Sequence, residues 1–388
     1  MAVIGCGNRC RMYRTAIAGA DDVEVVALYD KDISRAKNHL PHFPHARIAD
    51  DLYEVFADDS IDAVIIATPD GTHCDIASIA INAGKHVLVE KPLALNVPDG
   101  VRLQSLCDKT DAVLQLAFTL RASPFYYTIR GLLRDGVIGR VMGVEAAEHM
   151  GRDHGASYMR RWQRKTALSG GLLMNKCCHD IDLLHWFADS RARRVASFGG
   201  RDFFNPGTRR STHCSTCAEA DNCRFRFTGS HVSMTDEMKA DPTRFDLDLC
   251  VFTSDKDIVD NQVVVLEYEN NVRATFTVQM FSDRSDRTIH ISGTRGFIRG
   301  SFNSNRITVY VDGEGTKEHD IDNLATGNHG GGDAFLVRNF ADSIRKLNDP
   351  LSCCADGVEN TVTCIGADLA REEGQVVDLS ALRENAFQ

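Results

Sequence analysis

The chain has 388 residues, of which 43% are hydrophobic and 25% are charged, and its formal net charge at pH 7 is −10. This length predicts two domains, and the composition is typical of a soluble globular enzyme. The acidic balance argues against a general nucleic-acid binder, because phosphate binding requires a basic surface. No apolar run reaches 18 residues and no secretion signal is evident, so a membrane span and export are not expected. Thirteen cysteines without such a signal predict free thiols in a reducing compartment, which is the cytoplasm.

The first third of the chain alternates short apolar runs with segments of helical pattern. Apolar runs occur at Ala2–Gly5, in VEVVALYD up to Asp30, in IDAVIIATP up to Pro69 and in GKHVLVEKP up to Pro92. Continuous Val/Ile runs between helices indicate a parallel sheet covered on both faces, as in doubly wound dinucleotide-binding folds. The sequence therefore predicts an α/β protein whose residues 1–118 form an NAD(P)-binding Rossmann domain.

The turn after the first apolar run, GCGNRC, has residue types that suit a pyrophosphate. Gly5 permits a tight turn off the strand, and Gly7 lets backbone N–H groups approach a pyrophosphate at the start of the next helix. Cys10 replaces the usual third glycine. Asp30 ends the second run, where a carboxylate binds ribose hydroxyls and repels a 2′-phosphate, so NAD is favoured over NADP, a preference that Lys31 blurs. A glycine turn without a cofactor is the alternative interpretation.

Three ordered motifs make the chain resemble the Gfo/Idh/MocA family, the glucose–fructose oxidoreductase and inositol dehydrogenase group. They are ATPDGTHCDIASIAINAGKHVLVEKPLA, FTLRASP from Phe118 to Pro124, and SGGLLMNKCCHDIDLLHWF. The resemblance implies a C-terminal α+β domain over residues 119–388 that binds substrate, forms oligomers and contains a large, mostly antiparallel open sheet. We expect the final helix to pack back on the Rossmann domain.

The resemblance also implies a catalytic lysine in the first domain. In the family, the lysine of Glu-Lys-Pro lies beside the nicotinamide and the substrate oxygen, and here that residue is Lys91. Independently, open α/β sheets bind ligands beyond the carboxyl ends of their strands, and Lys91 follows such an end with Pro92 fixing the chain direction. An exposed Glu90–Lys91 ion pair is the alternative. The candidate cofactor-binding residues are Gly5, Gly7, Asn8, Arg9, Asp30, Thr68, Pro69, His73, Glu90 and Lys91.

From about Arg121 onward the pattern becomes that of an α+β domain. SPFYYTIRGLLRDGVIG predicts a helix and RVMGVEAAEHM predicts a strand. QVVVLEYENNVRATFTVQM, RTIHISG, GFIRGSF and RITVYVD alternate apolar and polar residues between short turns such as Asn270-Asn271, which predicts an antiparallel meander. One face should pack on helices, and the other should form a homodimer or homotetramer, as the family's open sheet commonly does. DAFLVRNFADSIRKL and DGVENTVTCIGADLAREEG predict two helices, the second ending at Gly374.

The segment after Gly170-Gly171 is expected to be helical, which would align Asn175, His179 and Asp182 on one stripe. His179 matches the family's catalytic histidine, and an imidazole suits the removal of an alcohol proton near neutral pH. Taken alone, a histidine satisfied in the core is the commoner case. The family aspartate four residues earlier is Asn175 here, which can orient the ring but cannot stabilise an imidazolium by charge. Either His179 acts unassisted or the site suits another sugar-like substrate, and Lys176 nearby would disfavour a protonated ring.

A basic stretch before the Gly-Gly segment, RDHGASYMRRWQRK, supplies candidate substrate contacts around Trp162. Its four cations could hold a carboxylated sugar or a phosphate, and a solvated helix face is the alternative. These cations are Arg160, Arg161, Arg164 and Lys165. NHGGGD, just before a predicted helix, offers backbone N–H donors and a histidine. The candidate substrate contacts are Arg121, Arg161, Trp162 and His329.

The stretch HCSTCAEADNC contains a zinc half-site. Cys214 and Cys217 have the Cys-x-x-Cys spacing that lets two thiolates share one tetrahedral ion, and Cys223 follows. His213 directly precedes Cys214, which makes chelation by both awkward. A structural zinc ion at the three cysteines, redox sensing and unpaired loop thiols are the interpretations left open.

These observations predict an NAD(P)-dependent oxidoreductase that acts on a hydroxyl of a sugar, inositol or related polyol. His179 would remove the hydroxyl proton, Lys91 would polarise the same oxygen and hydride would pass to the nicotinamide, with Asn175, Lys176 and Asp182 in support. An enzyme that cleaves a glycosidic bond through transient oxidation by NAD is one alternative, which the missing aspartate keeps open. A non-catalytic nucleotide sensor is another, and the presence of both Lys91 and His179 argues against it.

Overall fold

The computed structural model describes residues 1–20, 22–228, 247–321 and 331–385. The chain divides into two compact units. The first consists of Met1–Asp135, Ile321–Val362 and Ser380–Gln388, and the second consists of Gly136–Asp320 and Thr363–Leu379. Among the described residues, no helix is both long enough and apolar enough to cross a membrane.

A six-stranded parallel sheet forms the centre of the first unit. Its strands are β1 Ala2–Ile4, β2 Ala27–Tyr29, β3 Arg47–Ile48, β4 Ala63–Ile66, β5 His86–Val89 and β6 Leu114–Leu116. They lie in the order β3-β2-β1-β4-β5-β6, and every neighbouring pair is parallel. The strand order reverses between β1 and β4, which is where doubly wound sheets bind their ligands. The predicted Rossmann architecture is confirmed.

Six helices accompany this sheet. They are α1 Asn8–Ile17, α2 Ile33–His39, α3 Leu52–Ala57, α4 His73–Asn82, α5 Val97–Cys107 and α6 Pro124–Arg134. Side chains satisfy backbone N–H groups where three of them begin. Asp32 accepts from the Ser34 N–H, Asp51 from the Glu54 N–H and Asn96 from the Asp99 N–H. The fully buried apolar residues of the sheet include Val3, Leu28, Ile65 and Leu88.

A nine-stranded sheet forms the centre of the second unit. Its longer strands are β7 Val141–Gly151, β8 Ala192–Gly200, β9 Asn261–Tyr268, β10 Arg273–Ser282 and β11 Asp286–Gly293. The others are β12 Gly296–Ser301, β13 Arg306–Val311, β14 Gly315–Asp320 and β15 Val377–Asp378. The strand order is β14-β13-β12-β11-β7-β10-β9-β8-β15, and among the described strands only β7 and β10 pair in parallel. The predicted, mostly antiparallel sheet is confirmed, and Asn271 takes a positive φ of 65° in the expected turn between β9 and β10.

The two faces of this sheet differ in their side chains. Along β9, Val264 and Leu266 are buried whereas Val263 and Val265 are exposed, which is the alternation expected of a sheet covered on one face. The helical elements of this unit are α7 Arg152–Arg160, α8 Thr166–Ser169, a π-helical turn at Leu173–Cys177 and α9 Cys178–Ala188. α9 and α7 contact β7 and β10 on the buried face.

Three helices complete the described chain. They are α10 Gly332–Ile344, α11 Cys354–Glu373 and α12 Leu379–Asn385, and α11 ends just before Gly374 as the sequence predicts. α10 packs on α1, and its Leu336, Val337 and Phe340 share the buried core of the first sheet. Because these apolar residues pack there, the observed first unit includes C-terminal segments, unlike the single sequence-based boundary at residue 118.

Candidate functional site

The turn between β1 and α1 admits no side chain at its first glycine. Gly5 has a φ of +94°, and a Cβ there would lie 2.5 Å from the Ala67 carbonyl oxygen. Glycine is therefore required for the ends of β1 and β4 to approach each other. Gly7 is the N-cap residue of α1, a Cβ added there would meet no atom within 4 Å, and a glycine has no side chain to occupy the N–H groups that begin this helix. Such a helix start can receive a phosphate group.

Asp30 lies beside this turn at the end of β2. One of its carboxylate oxygens accepts a hydrogen bond from the Cys6 N–H at 2.7 Å, and the other accepts from the Asp32 N–H at 2.9 Å. Each oxygen keeps further lone pairs that can accept a ribose hydroxyl. Cys10, in the place of the third glycine, is fully buried and belongs to the core, so this position serves packing. These residues fit an adenine dinucleotide.

Other expected cofactor-binding residues lie at the same edge of the sheet. Asn8 is the first residue of α1, and Thr68 and Pro69 follow β4. The Thr72 hydroxyl lies 2.8 Å from the Thr68 hydroxyl and 2.7 Å from the Pro69 carbonyl oxygen, which braces the turn into α4. The role of these residues in holding a cofactor remains a prediction.

Lys91 follows the end of β5 and is half-buried. The peptide bond between Lys91 and Pro92 is cis. His73, at the start of α4, has Nδ1 at 2.7 Å from the Pro92 carbonyl oxygen and Nε2 at 2.9 Å from the Thr68 carbonyl oxygen. The buried imidazole thus bridges the segments that follow β4 and β5, and it fixes the backbone beside Lys91.

Glu90 and Arg9 belong to a buried network within the first unit. Glu90 Oε1 accepts hydrogen bonds from Arg9 Nε at 2.6 Å and from the Tyr13 hydroxyl at 2.7 Å, and Arg9 Nη2 lies 2.8 Å from Asp333 Oδ1. Burial alone would lower the pKa of Arg9, but Glu90 and Asp333 raise it well above its ordinary value. These ion pairs tie α1 and α10 to the end of β5, and cofactor contact by Arg9 or Glu90 stays a prediction.

Arg121 is buried and forms an ion pair within the first unit. Its guanidinium is buried, and it donates hydrogen bonds to the Leu351 carbonyl oxygen at 2.9 Å and to Asp356 Oδ1 at 3.0 Å. Although burial opposes it, this guanidinium holds the pKa of Asp356 below its ordinary value. These contacts join two segments of the first unit, and a contact between Arg121 and substrate remains a prediction.

In the second unit, the segment after Gly171 departs from a regular α-helix. The sequence predicts one continuous α-helix, whereas the structure has a π-helical turn at Leu173–Cys177 followed by α9. No glycine or proline marks this change, and π turns are frequent at functional sites. Asn175 lies in the π turn, whereas His179 and Asp182 lie in α9, and all three are buried.

Asn175 is oriented by a tyrosine of α7. The Tyr158 hydroxyl donates a hydrogen bond to Asn175 Oδ1 at 3.0 Å. The amide oxygen is therefore directed to Tyr158, which leaves the NH₂ group of Asn175 to face other neighbours. Asp182 lies near Tyr268, where burial and the Asp182 carboxylate raise the pKa of the phenol well above its ordinary value.

Lys176 takes part in a buried cluster of charges. Its Nζ lies 3.3 Å from Glu148 Oε1, while Arg287 contacts Glu148 and lies 2.8 Å from Asp180 Oδ1. Burial opposes ionisation of Glu148, but Lys176 and Arg287 hold its pKa below the ordinary value. Burial raises the pKa of Asp180 to about 6 despite Arg287. Lys176 is thus paired with a carboxylate and is not an isolated cation.

The basic stretch expected to bind substrate separates into paired and unpaired cations. Arg160 is buried and donates to the Leu249 and Phe225 carbonyl oxygens. Arg164 and Lys165 both pair with Asp255, at 2.6 and 2.8 Å. Arg161 has no ion-pair or side-chain hydrogen-bond partner within the described part of the chain, and its Nε is buried. Trp162, next to it, is exposed.

The interpretation of the cysteine stretch as a zinc site is not supported. Among the described residues, no three His, Cys, Asp or Glu side chains are grouped to hold a metal ion. The sulfur of Cys214 accepts from hydrogen-bond donors, the Phe227 N–H at 3.5 Å and Arg160 Nη2 at 3.8 Å. Cys217 and Cys223 are free thiols. The other candidate, His329, lies outside the described residues.

Several side chains of the second-unit cluster are absent from the sequence-based candidates. His154 and Tyr158 stand four residues apart on α7, and this spacing places them on one helix face. Their rings lie 5.6 Å apart between centroids. Glu148 belongs to β7 and Arg287 to β11, and no local pattern reveals that such distant residues meet. Only the spacing on α7 could have been used as a signal.

Residues 1–118 match the oxidoreductase family with an NAD-binding Rossmann fold (GFO_IDH_MocA), and residues 130–379 match the C-terminal alpha/beta domain of the same family. The oxidoreductase YteT of Bacillus subtilis is 27% identical over 349 residues, which cover 82% of each chain. An inositol 2-dehydrogenase of Acidothermus cellulolyticus is 30% identical over 207 residues, which cover 52% of this chain and 57% of that one.

Solved structures show the same fold at low identity. A levoglucosan dehydrogenase in complex with NADH and levoglucosan gives a TM-score of 0.78 at 17% identity and covers 97% of this chain and 98% of its own. An oxidoreductase of Agrobacterium radiobacter in complex with NAD+, L-tartaric acid and magnesium gives 0.75 at 18% identity, covering 98% of each chain. The resemblance inferred from the motifs is confirmed, and the chain belongs to the Gfo/Idh/MocA family of oxidoreductases.

Proposed function

We propose that this chain is an NAD(P)-dependent dehydrogenase that transfers hydride between nicotinamide and a hydroxyl-bearing carbon of a sugar, inositol or related polyol. The observation that carries the proposal is the edge of the first sheet, where the Gly5 turn, Asp30 and Lys91 follow the ends of β1, β2 and β5. Similar proteins support the substrate class, since they include inositol 2-dehydrogenases and a levoglucosan dehydrogenase.

The first unit would hold the cofactor through backbone and carboxylate groups. Uncapped N–H groups at the start of α1 suit the pyrophosphate, and Asp30 suits the ribose hydroxyls. Its negative charge disfavours a 2′-phosphate, which is the reason to expect NAD before NADP. Bound NAD supplies the hydride acceptor, and the remaining chemistry belongs to the side chains of this chain.

Lys91 would stabilise negative charge that develops on the substrate oxygen. An ammonium group at the end of a strand in an open α/β sheet lies where ligands of such sheets bind. Its backbone is held by the His73 contacts to Thr68 and Pro92, which limits the positions that the ammonium can reach. A positioned cation lowers the barrier because no reorganisation is needed as charge develops.

His179 would accept the hydroxyl proton. It lies in α9 one helical turn after Asn175, whose orientation is set by the Tyr158 hydroxyl at 3.0 Å. Without a carboxylate at position 175, an imidazolium formed during the reaction would lack direct charge compensation from that residue. We therefore infer that His179 releases this proton to solvent water after hydride has left the substrate.

The experiment is a panel of sugars, inositols and polyols assayed by NADH absorbance with the parent protein and a Lys91→Met variant. We expect at least one compound to reduce NAD. Lys91→Met should lower the turnover rate by about 10²–10⁴-fold while leaving NAD affinity within about threefold, because the lost group acts on the substrate oxygen. Lys109→Met, at an exposed lysine of the same unit, is the matched control.

Two results would contradict the proposal. One is a Lys91→Met variant that turns over as fast as the parent. The other is cleavage of a glycoside with retained NAD and no accumulation of NADH, which would identify the glycoside-cleaving alternative.

We also propose that the open face of the second sheet joins copies of this chain. Phe198 on β8 is 72% exposed, and it lies opposite Val263 in the strand register, beside exposed Val265. Further along the same face, beyond β10, β7 and β11, the rings of Phe297 and Tyr310 stack at 5.3 Å between centroids. Two apolar groups on one open face favour a protein interface. Light scattering should find a dimer or tetramer, and a monomer at micromolar concentration would contradict this.

A further inference from the structure

The unpaired guanidinium in the basic stretch, Arg161, is the feature that the proposed function leaves unexplained. Neighbouring cations of the stretch are neutralised or held by the protein itself, as described for Arg160 and for the Asp255 pairs. Arg161 directly follows α7, is half-buried, and meets no carboxylate in the described part of the chain. Burial lowers its pKa, in contrast with Arg9, whose two carboxylate partners raise the pKa. Its buried Nε has no hydrogen-bond acceptor among the described residues, and the oxygen of a ligand would supply one.

We propose, resting on the proposed dehydrogenase function, that Arg161 binds the carboxylate of the substrate, so that the substrate class is a polyhydroxylated carboxylic acid such as an aldonate. A guanidinium presents a planar pair of N–H donors that matches the two oxygens of a carboxylate. The side chain supplies both charge and orientation, which a neutral polyol would not need.

The surroundings of Arg161 connect it to the residues proposed for proton transfer. Tyr158, one turn earlier on α7, interacts electrostatically with Arg161 and donates its hydroxyl proton to Asn175 Oδ1. Besides burial, Lys176 and Arg161 also lower the pKa of His154, which lies on the same helix as Tyr158. Arg161 therefore belongs to the neighbourhood of the π turn that precedes His179, all within the second unit.

The cations of this neighbourhood differ in their pairing. Lys176 and Arg287 contact Glu148, and Arg287 also contacts Asp180, whereas Arg161 meets no carboxylate in the described part of the chain. A single carboxylate on the ligand would match the guanidinium of Arg161 through two parallel hydrogen bonds.

The experiment measures binding by calorimetry and thermal shift in the presence of NAD, without relying on turnover. The probes are matched pairs that differ in the carboxylate, gluconate with glucitol and galactonate with galactitol. We expect at least one aldonate to bind about 10- to 100-fold more tightly than its alditol, because a hydrogen bond to a charged group contributes that much affinity. Arg161→Met should reduce aldonate affinity to the alditol level and leave NAD affinity unchanged.

Arg164→Met is the matched control, since its guanidinium already pairs with Asp255, and aldonate affinity should stay within about twofold of the parent. Circular dichroism verifies that both variants fold. The inference is overturned if no aldonate binds, if each alditol binds as well as its aldonate, or if Arg161→Met keeps aldonate affinity. It is also overturned if gluconate 6-phosphate gains its affinity from the phosphate through Arg161.

The outcomes for this inference and for the proposed function are distinguishable. Aldonates that bind through Arg161 but are never oxidised would uphold the carboxylate site and contradict the dehydrogenase assignment. Oxidation of alditols that is as fast as that of aldonates, and insensitive to Arg161→Met, would uphold the dehydrogenase and overturn the carboxylate site.

Discussion

The carboxyl edge of the first sheet and the neighbourhood of the π turn in the second unit differ in how completely their cations are paired. At the first, Glu90 meets Arg9 and Tyr13, so the buried ionic groups have partners within the chain. At the second, Lys176 is paired with a carboxylate, whereas Arg161 meets none in the described part of the chain. We infer that contacts within the chain hold the first region in place, whereas the second keeps a cation for a ligand.

Gly5→Ala should have the largest effect, because it disrupts the carboxyl edge of the first sheet. A Cβ would lie 2.5 Å from the Ala67 carbonyl oxygen at a backbone φ of +94°, so strand ends must separate. We expect a loss of at least about 3 kcal/mol of unfolding free energy, together with loss of NAD binding.

The control for this prediction is Gly84→Ala. Gly84 also has a positive φ, of +75°, but open space surrounds its Cα. Its substitution should cost about 1–2 kcal/mol, which is the effect of the left-handed backbone alone. Urea unfolding measures both variants. Equal losses would show that the contact with β4 does not constrain the turn.

The second prediction concerns how stability depends on pH, and it tests the neighbourhood of the π turn in the second unit. Burial and Lys176 lower the pKa of His154 to about 4 from an ordinary value of 6.5. Between these values the unfolded chain binds a proton that the folded chain does not, so this group makes stability rise with pH. Burial raises the pKa of Asp180 to about 6 from 3.8, so this group makes stability fall as pH rises through the same window.

Single substitutions should reveal the pH dependence of stability that each group contributes, since the contributions of His154 and Asp180 oppose each other in the parent protein. His154→Gln should remove the rising contribution, on the order of 2–3 kcal/mol across the window, and leave stability that decreases from about pH 4 to pH 6. Asp180→Asn should do the reverse. The measurement is urea unfolding over about pH 4 to pH 7. Parallel curves for the parent and both variants would contradict the assigned titrations.

Most of the fold follows from the sequence because its signals are local. Val/Ile runs bounded by turns identify β1, β4 and β5, and alternation identifies β9 to β13. The extent of the first unit does not follow, since burial of Leu336 and Phe340 with Val3 depends on contacts across most of the chain length. Likewise, no residue preference marks the π turn at Leu173–Cys177.

In the candidate site, too, the sequence predicts what neighbouring residues determine and misses what depends on contacts far along the chain. Gly5 and Asp30 could be assigned because a turn and a strand end fix their positions. The roles of the cations could not be assigned from the sequence. Arg121 and Arg161 have the same side chain, but among the described residues only Arg121 meets an acidic partner, which lies 235 residues away along the chain. The predicted zinc half-site is unsupported for a related reason. The Cys-x-x-Cys spacing carries no information about further ligands, and no group of three metal-binding side chains occurs among the described residues.

Transfer of deuterium from substrate to cofactor is the decisive test of the proposed hydride transfer. The protein is incubated with NAD and C-deuterated polyols and aldonates, and the recovered cofactor is analysed by mass spectrometry. We expect the label to appear in NADH, at a rate that Lys91→Met lowers by about 10²-fold or more. Substrate consumption in which the label returns to the product, or is lost to water without entering the cofactor, would contradict it.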